Sequence, residues 1–319
     1  MKKTKIWLII ATCLVFIGCI ILGSALYIIK WDFAKLATTN YETNVHNISE
    51  NYKNIAVVTD TADVVFVVSE DEKTVVTCKE QKNLRHKVLA ENDTLTIEVV
   101  DERKWYEHIG INFGKTEITV AIPKGEWGTL SVKSHTGDVE IPKDFKFNSI
   151  DISGSTGNVK SYASAVGAIK IRTSTGHIET EAITAANLEL TVSTGNILAS
   201  YITCEGDVSV KASTGKTELN NVRCKNVISD GDTGKMLLKN VVADEKFSIE
   251  RDTGDIRLEA CDAAEIFIET DTGDVSGTLL SEKVFITKTD TGKISVPKTT
   301  NGGRCEISTD TGNIKIQIK

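Results

Sequence analysis

The chain has 319 residues, with 37 basic against 44 acidic side chains and a formal net charge of −7. Such a chain lacks the basic surface that attracts nucleic acid or anionic lipid head groups. Its seven cysteines include no CxxC pair and no Cys/His cluster of zinc-binding spacing, which removes the common structural zinc folds.

Lys2, Lys3 and Lys5 precede an uncharged apolar run from Ile6 to Ile29, with Tyr27 and Trp31 near its far end. A helix of that length, at about 1.5 Å per residue, spans the roughly 30 Å hydrocarbon core of a bilayer. The lysines ahead of the run predict a cytoplasmic N-terminus and place everything after about Trp31 outside, although Lys30 and Lys35 pull the other way. The run is too long for a cleaved secretory signal. Phe16-Ile17-Gly18-Cys19 resembles a lipobox with Cys19 as the lipidated residue, but the apolar residues continuing after Cys19 favour a retained single span. Residues 1–30 are therefore read as a cytoplasmic start and transmembrane anchor, and the polar residues 31–53 as a spacer. Beyond residue 30 the balance is 33 basic to 44 acidic, a formal charge of −11.

Residues 54–122 carry β-type stretches without a regular period, among them Val64–Val68, Thr94–Val100 and Glu117–Ile122. Asp60-Thr61-Ala62-Asp63-Val64 looks like a degenerate copy of Asp252-Thr253-Gly254-Asp255-Ile256, with alanine in the glycine's place. Residues 54–122 are read as an irregular cap on the N-terminal end of a repeat array, since such an array needs its end covered.

Residues 123–319 repeat. Glycines preceded by threonine stand at 137, 157, 176, 195, 215, 234, 254, 273, 292 and 312, always 19 or 20 residues apart. Numbered from each glycine, apolar residues fill paired columns two residues apart: Leu130 and Val132 before it, Ile197 and Ala199 after it, Ile202 and Cys204 further on. The third pair of columns also takes in Val166 and Leu280. A spacing of two is the strand signature, so each period holds three short strands. Three strands in one period close into a triangular coil, and ten turns stacked at about 4.8 Å form a rod. The predicted fold is all-β, a single-stranded parallel β-solenoid, three-sided with 19–20 residues per turn, after one N-terminal transmembrane helix.

Asp-Thr-Gly is also the signature of aspartic proteases. Here, however, the residue two before the glycine is His135, then Ser155, Ser174, Ser193 and Ser213, then Asp232, Asp252, Asp271, Asp290 and Asp310. A catalytic aspartate is not replaceable by serine, whereas a turn needs only a short side-chain oxygen to accept the N–H two residues on. Glycine supplies the backbone angle.

An N-terminal anchor, a Thr-Ala-Asp-Val element and then S-T-G-N-[IV] and D-T-G-[DNK]-[IV] every 19–20 residues resemble the DUF4097 family of bacterial envelope proteins. The resemblance covers about residues 54–319. The family is described as candidate adhesins, some linked to cell-envelope stress systems, such as the LiaG- and LiaX-like proteins. It implies a surface-exposed solenoid and brings no catalytic residues.

Three candidate sites remain. Asp232, Asp252, Asp271, Asp290 and Asp310, with Asp255 and Asp274 one residue after their glycines, form a carboxylate ladder that calcium could bridge. Against this, Lys235 and Lys293 share the outward column of Asp255 and Asp274, and the turn already accounts for the aspartates. Ile228, Phe267 and Ile286 interrupt an otherwise polar outward column and form a candidate partner surface, or one covered by the N-terminal section. Cys204, Cys224, Cys261 and Cys305 fall in inward columns as buried small hydrophobes; Cys204 and Cys224, on consecutive turns, are close enough for a disulfide. His46, His86, His108 and His177 are scattered and read as surface residues. The stretch Ile314–Lys319 stops part-way through a turn with no separate cap, its lysines protecting an open edge.

The expectation is a non-catalytic, membrane-tethered, extracytoplasmic solenoid that serves binding, adhesion or envelope stress, with an unknown envelope protein or polysaccharide as partner. A calcium-stabilised adhesin and an enzyme acting on extracellular polysaccharide are the alternatives. Turns that vary by one residue carry no groove-building insertion, which disfavours the enzyme. No cofactor other than calcium is suggested.

Overall fold

The computed structural model describes residues 2–28, 30, 40–105 and 114–319. Residues 31–39 of the expected spacer, with Trp31 and Lys35, lie outside the described residues, as does His108. One helix, α1 (Lys2–Ile28), precedes an all-β body, and its stretch Lys5–Ile28 is long and apolar enough to cross a membrane.

The repeats form one parallel coil in register. The strand Phe145–Thr156 lies between Gly125–Thr136 and Ala168–Thr175, with Ile150 flanked by Leu130 and Ile169 and Ile152 by Val132 and Ile171. Alternation of side chains puts those residues inside and Asp151 outside, so the core is a set of stacked ranks running the length of the coil. Burial is nearly complete: Leu130, Ile169, Val208, Val227, Phe247 and Ile266, all of one rank, are 0% exposed.

The Thr-Gly corner is built differently from the expected side-chain turn. The N–H of Gly157 goes to the carbonyl of Thr175 one turn on, at 2.9 Å, and Gly176, Gly195, Gly215, Gly234 and Gly254 repeat the bond. The serine or aspartate two residues back is therefore not the acceptor of that N–H. Glycine is needed on two counts. At Gly195 φ is +145°, and a Cβ there would overlap the carbonyl of Gly176 beneath it. A second corner, six residues after the glycine, holds Ala182, Tyr201, Asn221, Asn240 and Ala260 in the left-handed region, with φ between 51° and 57°. Between this corner and the next strand the coil absorbs its one-residue differences in period. There the sequence columns slip: Ala165 and Leu279 are buried, while Val166 and Leu280 are 61% and 44% exposed.

The cap starts earlier than expected and is more ordered. Part of the expected spacer, Tyr41–Ile48 (β1), is a strand. β2 (Asn54–Thr59) and β3 (Asp63–Val68) make two sides of a first turn of the coil. They pair in parallel with β8 (Gly125–Thr136) and β9 (Val139–Ile141) of the first Thr-Gly repeat, and Ala62 lies under Gly137 as the degenerate copy predicts. β4 (Thr74–Gln81), β5 (Leu84–Glu91), β6 (Thr94–Asp101) and β7 (Glu117–Ile122) then close the end. β6 and β7 run parallel to β2 and β3, whereas β4 and β5 are antiparallel to β7 and β6. β1 adds to β4, also antiparallel. The antiparallel outer strands stop the parallel stacking, which covers the core at this end.

The other end departs from sequence order. Glu265–Thr272 does not pair with Lys283–Thr291, the strand of the next repeat in sequence. Instead Gly303–Thr311 lies between them, bonded to both, and Ile314–Ile318 likewise separates Val275–Leu279 from Ile294–Ser295. The expectation that Ile314–Lys319 is the open edge is corrected: this stretch is internal, with Ile314 and Ile316 buried, and Lys283–Thr291 forms the outermost layer. The loop after Ile294–Ser295 is long enough to cross back over a layer, and Gly302 and Gly303 fit where a Cβ would overlap the carbonyls of Glu282 and Ala264.

A charged side chain enters the core of the coil. Arg251, 1% exposed, stands three residues before Gly254 and reaches back along the coil. Its guanidinium donates to Thr217 Oγ1 at 3.1 Å, Ser229 Oγ at 3.2 Å and the Ala212 carbonyl at 3.4 Å. Burial lowers its pKa, and Asp230 and Asp232 outside the wall push it back up.

Candidate functional site

The corner fixes the surface that the coil shows to solvent. The threonine before each glycine is exposed in all ten copies, from Thr136 to Thr311, as one straight row. Beside it runs the row of His135, four serines and five aspartates, exposed except at Ser155 and Ser213, which are half-buried. A third outward row, four residues before the glycine, changes sign along the coil: Lys133, Arg172 and Lys211 in the early turns, then Asp230, Glu250 and Glu269. Asp232, Asp252 and Asp271 thus share one face with three further acids that the sequence columns did not single out. Asp290 and Asp310 are exposed in the last layers, with Lys288 paired to Asp290 at 3.3 Å. Across this face no three carboxylates among the described residues bring ligand oxygens within 4.8 Å of one another.

Asp255 and Asp274 belong to another arrangement. One residue after the glycine, wherever that residue is Asp or Asn, a side-chain oxygen accepts the backbone N–H of its counterpart on the neighbouring turn: Asp138 from Asn158 at 2.7 Å, Asn158 from His177, Asn196 from Lys216, and Asp255 from Asp274 at 3.2 Å. The ladder keeps to the spatial order of the layers, since Asp274 accepts from Asn313 and Asn313 from Lys293. The hydrogen bond from Lys235 and the N–H of Asp274 hold the Asp255 carboxyl below the usual range. These oxygens are employed in joining turns.

Ile228, Phe267 and Ile286 do not form one patch. In the stack, Ser248 separates Ile228 from Phe267, and the inserted Glu306 separates Phe267 from Ile286. Ile228 and Ile286 are 41% and 48% exposed, but Phe267 lies under Lys246 Nζ, 4.2 Å from its ring centre, with Arg304 at 5.4 Å. Cys204 and Cys224 are buried free thiols, their pKa values pushed up to about 12 by burial. Of the histidines, His177 is exposed as expected; His86 is buried, and the Nε2 of His46 is buried without a partner.

A concave site forms where cap and coil meet. Thr61, Thr136, Thr156 and Thr175 make its floor, and Tyr41, Gln81, Arg103 and Lys115 rise beside them around an open groove of about 600 Å³. Asp138 and Asn158 line its far side. The Tyr41 hydroxyl donates to the Gly114 carbonyl at 3.1 Å, fixing the ring at the rim. Sequence columns locate the threonines, but the wall comes from β1, the last residue of β4 and residues flanking the cap strands, whose place on the coil depends on antiparallel pairing distant in sequence.

A single parallel coil, capped by antiparallel strands and presenting straight outward rows, defines a β-solenoid whose polar chemistry lies on its surface. The chain belongs to the Toastrack DUF4097 family, whose profile matches residues 52–208 and 199–319. It is similar to solved candidate adhesins of Bacteroides fragilis (15% identity, 87% of this chain and 97% of that one, TM-score 0.47) and Parabacteroides distasonis (12%, 88% and 98%, 0.45). A candidate lipid-binding protein of Parabacteroides distasonis is likewise similar (16%, 88% and 98%, 0.42). No curated protein matches the chain.

Proposed function

We propose that the protein is a non-catalytic binding protein, tethered to the membrane by α1, whose coil stands outside the cytoplasm and holds an envelope polysaccharide in the groove at the cap. The observation that carries this reading is the straight row of exposed threonines, bordered by serines in the early turns and walled by the cap at the groove. Hydroxyls repeated at the strand spacing of about 4.8 Å suit a ligand that itself repeats and offers hydroxyls in return. The groove falls within the roughly 300–1,000 Å³ typical of ligand sites, and its lining sets hydroxyl, amide and charged groups among a slightly larger share of apolar surface. Acidic rows further along disfavour an anionic polymer there, so the contact is assigned to the early turns. Thr-Gly spacings that differ by no more than one residue, and so leave no insertion to build a deep cleft around a reacting bond, agree with binding rather than catalysis.

The test uses the full chain in detergent, immobilised through a tag, with polysaccharide purified from the envelope of the producing cells. Saturable binding, weakened at least tenfold in Thr156→Lys and Thr175→Lys and unchanged in Ile228→Lys, is expected. Equal binding by all variants, or capture of envelope protein and no polysaccharide, overturns the reading. Protease added to intact cells is expected to remove a tag placed after Lys319; protection of the tag would refute the topology.

A further inference from the structure

Under β1, three side chains of different chemistry meet inside the cap. Cys78 and Glu80 are two residues apart on β4 and so share its inner face, while His86 reaches them from β5 across the hairpin. They are 0%, 1% and 6% exposed, and one ligand atom of each lies within 4.8 Å of the other two. Among the described residues no other set of His, Cys, Asp and Glu converges in this way. We propose that Cys78, Glu80 and His86 form a binding site for a divalent transition metal, zinc being the ion whose ligand preferences they match.

Three observations support the assignment. First, the ligand types suit the ion: zinc takes thiolate sulfur, imidazole nitrogen and carboxylate oxygen, and magnesium or calcium would not select a thiol. Second, the surrounding groups orient the ligands. His86 Nε2 lies 3.0 Å from Thr59 Oγ1, which can accept its proton, and Asn44 Nδ2 donates to Glu80 Oε1 at 2.7 Å. Such partners fix the tautomer of a metal-binding imidazole and the rotation of a metal-binding carboxylate. His86 Nδ1 and Glu80 Oε2, now 2.7 Å apart, are the pair that would open around the ion, and Oε2 keeps its second bond from the His86 N–H at 2.6 Å. Third, the charges balance: a dication with one thiolate, one carboxylate and one neutral imidazole sums to zero, the condition under which burying ions costs least.

The proton balance is simple. Without metal, burial and then the nearby Glu80 push the Cys78 thiol up to about 12, so it is protonated. Binding forms metal–sulfur, metal–oxygen and metal–nitrogen bonds, the thiol proton leaves to solvent, and the imidazole proton moves from Nδ1 to Nε2. Three protein ligands leave a fourth tetrahedral position open. The ion would join β4 to β5 and so hold the cap together, and its binding is coupled to cap folding.

The experiment takes the full chain in detergent, strips it with chelator, adds zinc or cobalt and passes it through gel filtration. The wild type is expected to retain one equivalent of zinc, and its cobalt form to show a thiolate-to-cobalt charge-transfer band in the near ultraviolet. Cys78→Ser is expected to abolish the band and His86→Gln to weaken retention at least tenfold, while Cys204→Ser with Cys224→Ser changes neither. If the serine variant does not fold, Cys78→Val keeps an apolar side chain at the buried position and carries the same expectation. A wild type that leaves the column without zinc and shows no cobalt band, or a band that persists without Cys78, overturns the proposal.

Discussion

Two kinds of corner residue in this coil carry opposite predictions. Gly195 has φ +145° and the Gly176 carbonyl where a Cβ would go, so Gly195→Ala meets both a disfavoured backbone angle and a steric overlap with main chain. We expect it to cost at least about 2 kcal/mol and to lower the melting temperature by several degrees. At the second corner Ala260 sits at φ 53° with a side chain that gains nothing from that angle. Ala260→Gly should raise stability by about 0.5–1 kcal/mol, the relief of a left-handed residue less glycine's entropy. Both are read from denaturant midpoints, and a loss of stability in Ala260→Gly would show that this corner is not strained. Arg251 marks a third situation, a charge accommodated among neutral oxygens because Gly231 beside it has no side chain.

Within each turn, the outward aspartates and the residues one past the glycine do different work. Among the latter, Asp255 and Asp274 accept N–H groups from the neighbouring layer, while Asp252 and Asp271 stand exposed with carboxylates on either side. Replacing Asp252 and Asp271 together by serine should leave the melting temperature unchanged or slightly raised, since it removes like-charge repulsion and no turn bond. Millimolar calcium should then shift wild type and variant equally. A calcium-dependent rise present only in the wild type would make the ladder a metal site. The strands themselves were legible in the sequence because a two-residue period repeated at 19–20 residues admits one folded pattern, and Leu130, Ile150 and Ile169 are where it places them. The turn chemistry was not, because Ser and Asp two before glycine look the same whether they close a turn or face solvent. The cap cluster was hidden for another reason: Cys78 and His86 are eight positions apart in sequence and meet only through the pairing of β4, β5 and β6.

For the molecule as a whole, the layer order at the far end is the feature that periodicity could not predict. Glu265–Thr272 offers the same rank of apolar positions to either successor, so Phe285 and Cys305 are equivalent by pattern, and only the crossing loop after Ser295 distinguishes the two stacks. Hydrogen exchange should show it: amides of Gly303–Thr311, bonded on both sides, should exchange more slowly than those of Lys283–Thr291, which stand on the outside. The reverse ranking would mean that the layers keep to chain order. If the inserted order holds, a ribosome making this protein delivers its last layers out of sequence. Lys283–Thr291 emerges first, and the neighbour it needs has yet to be made, so it must wait, or occupy that neighbour's place and later yield it. In the second case adding the inserted layer is a step of exchange rather than extension.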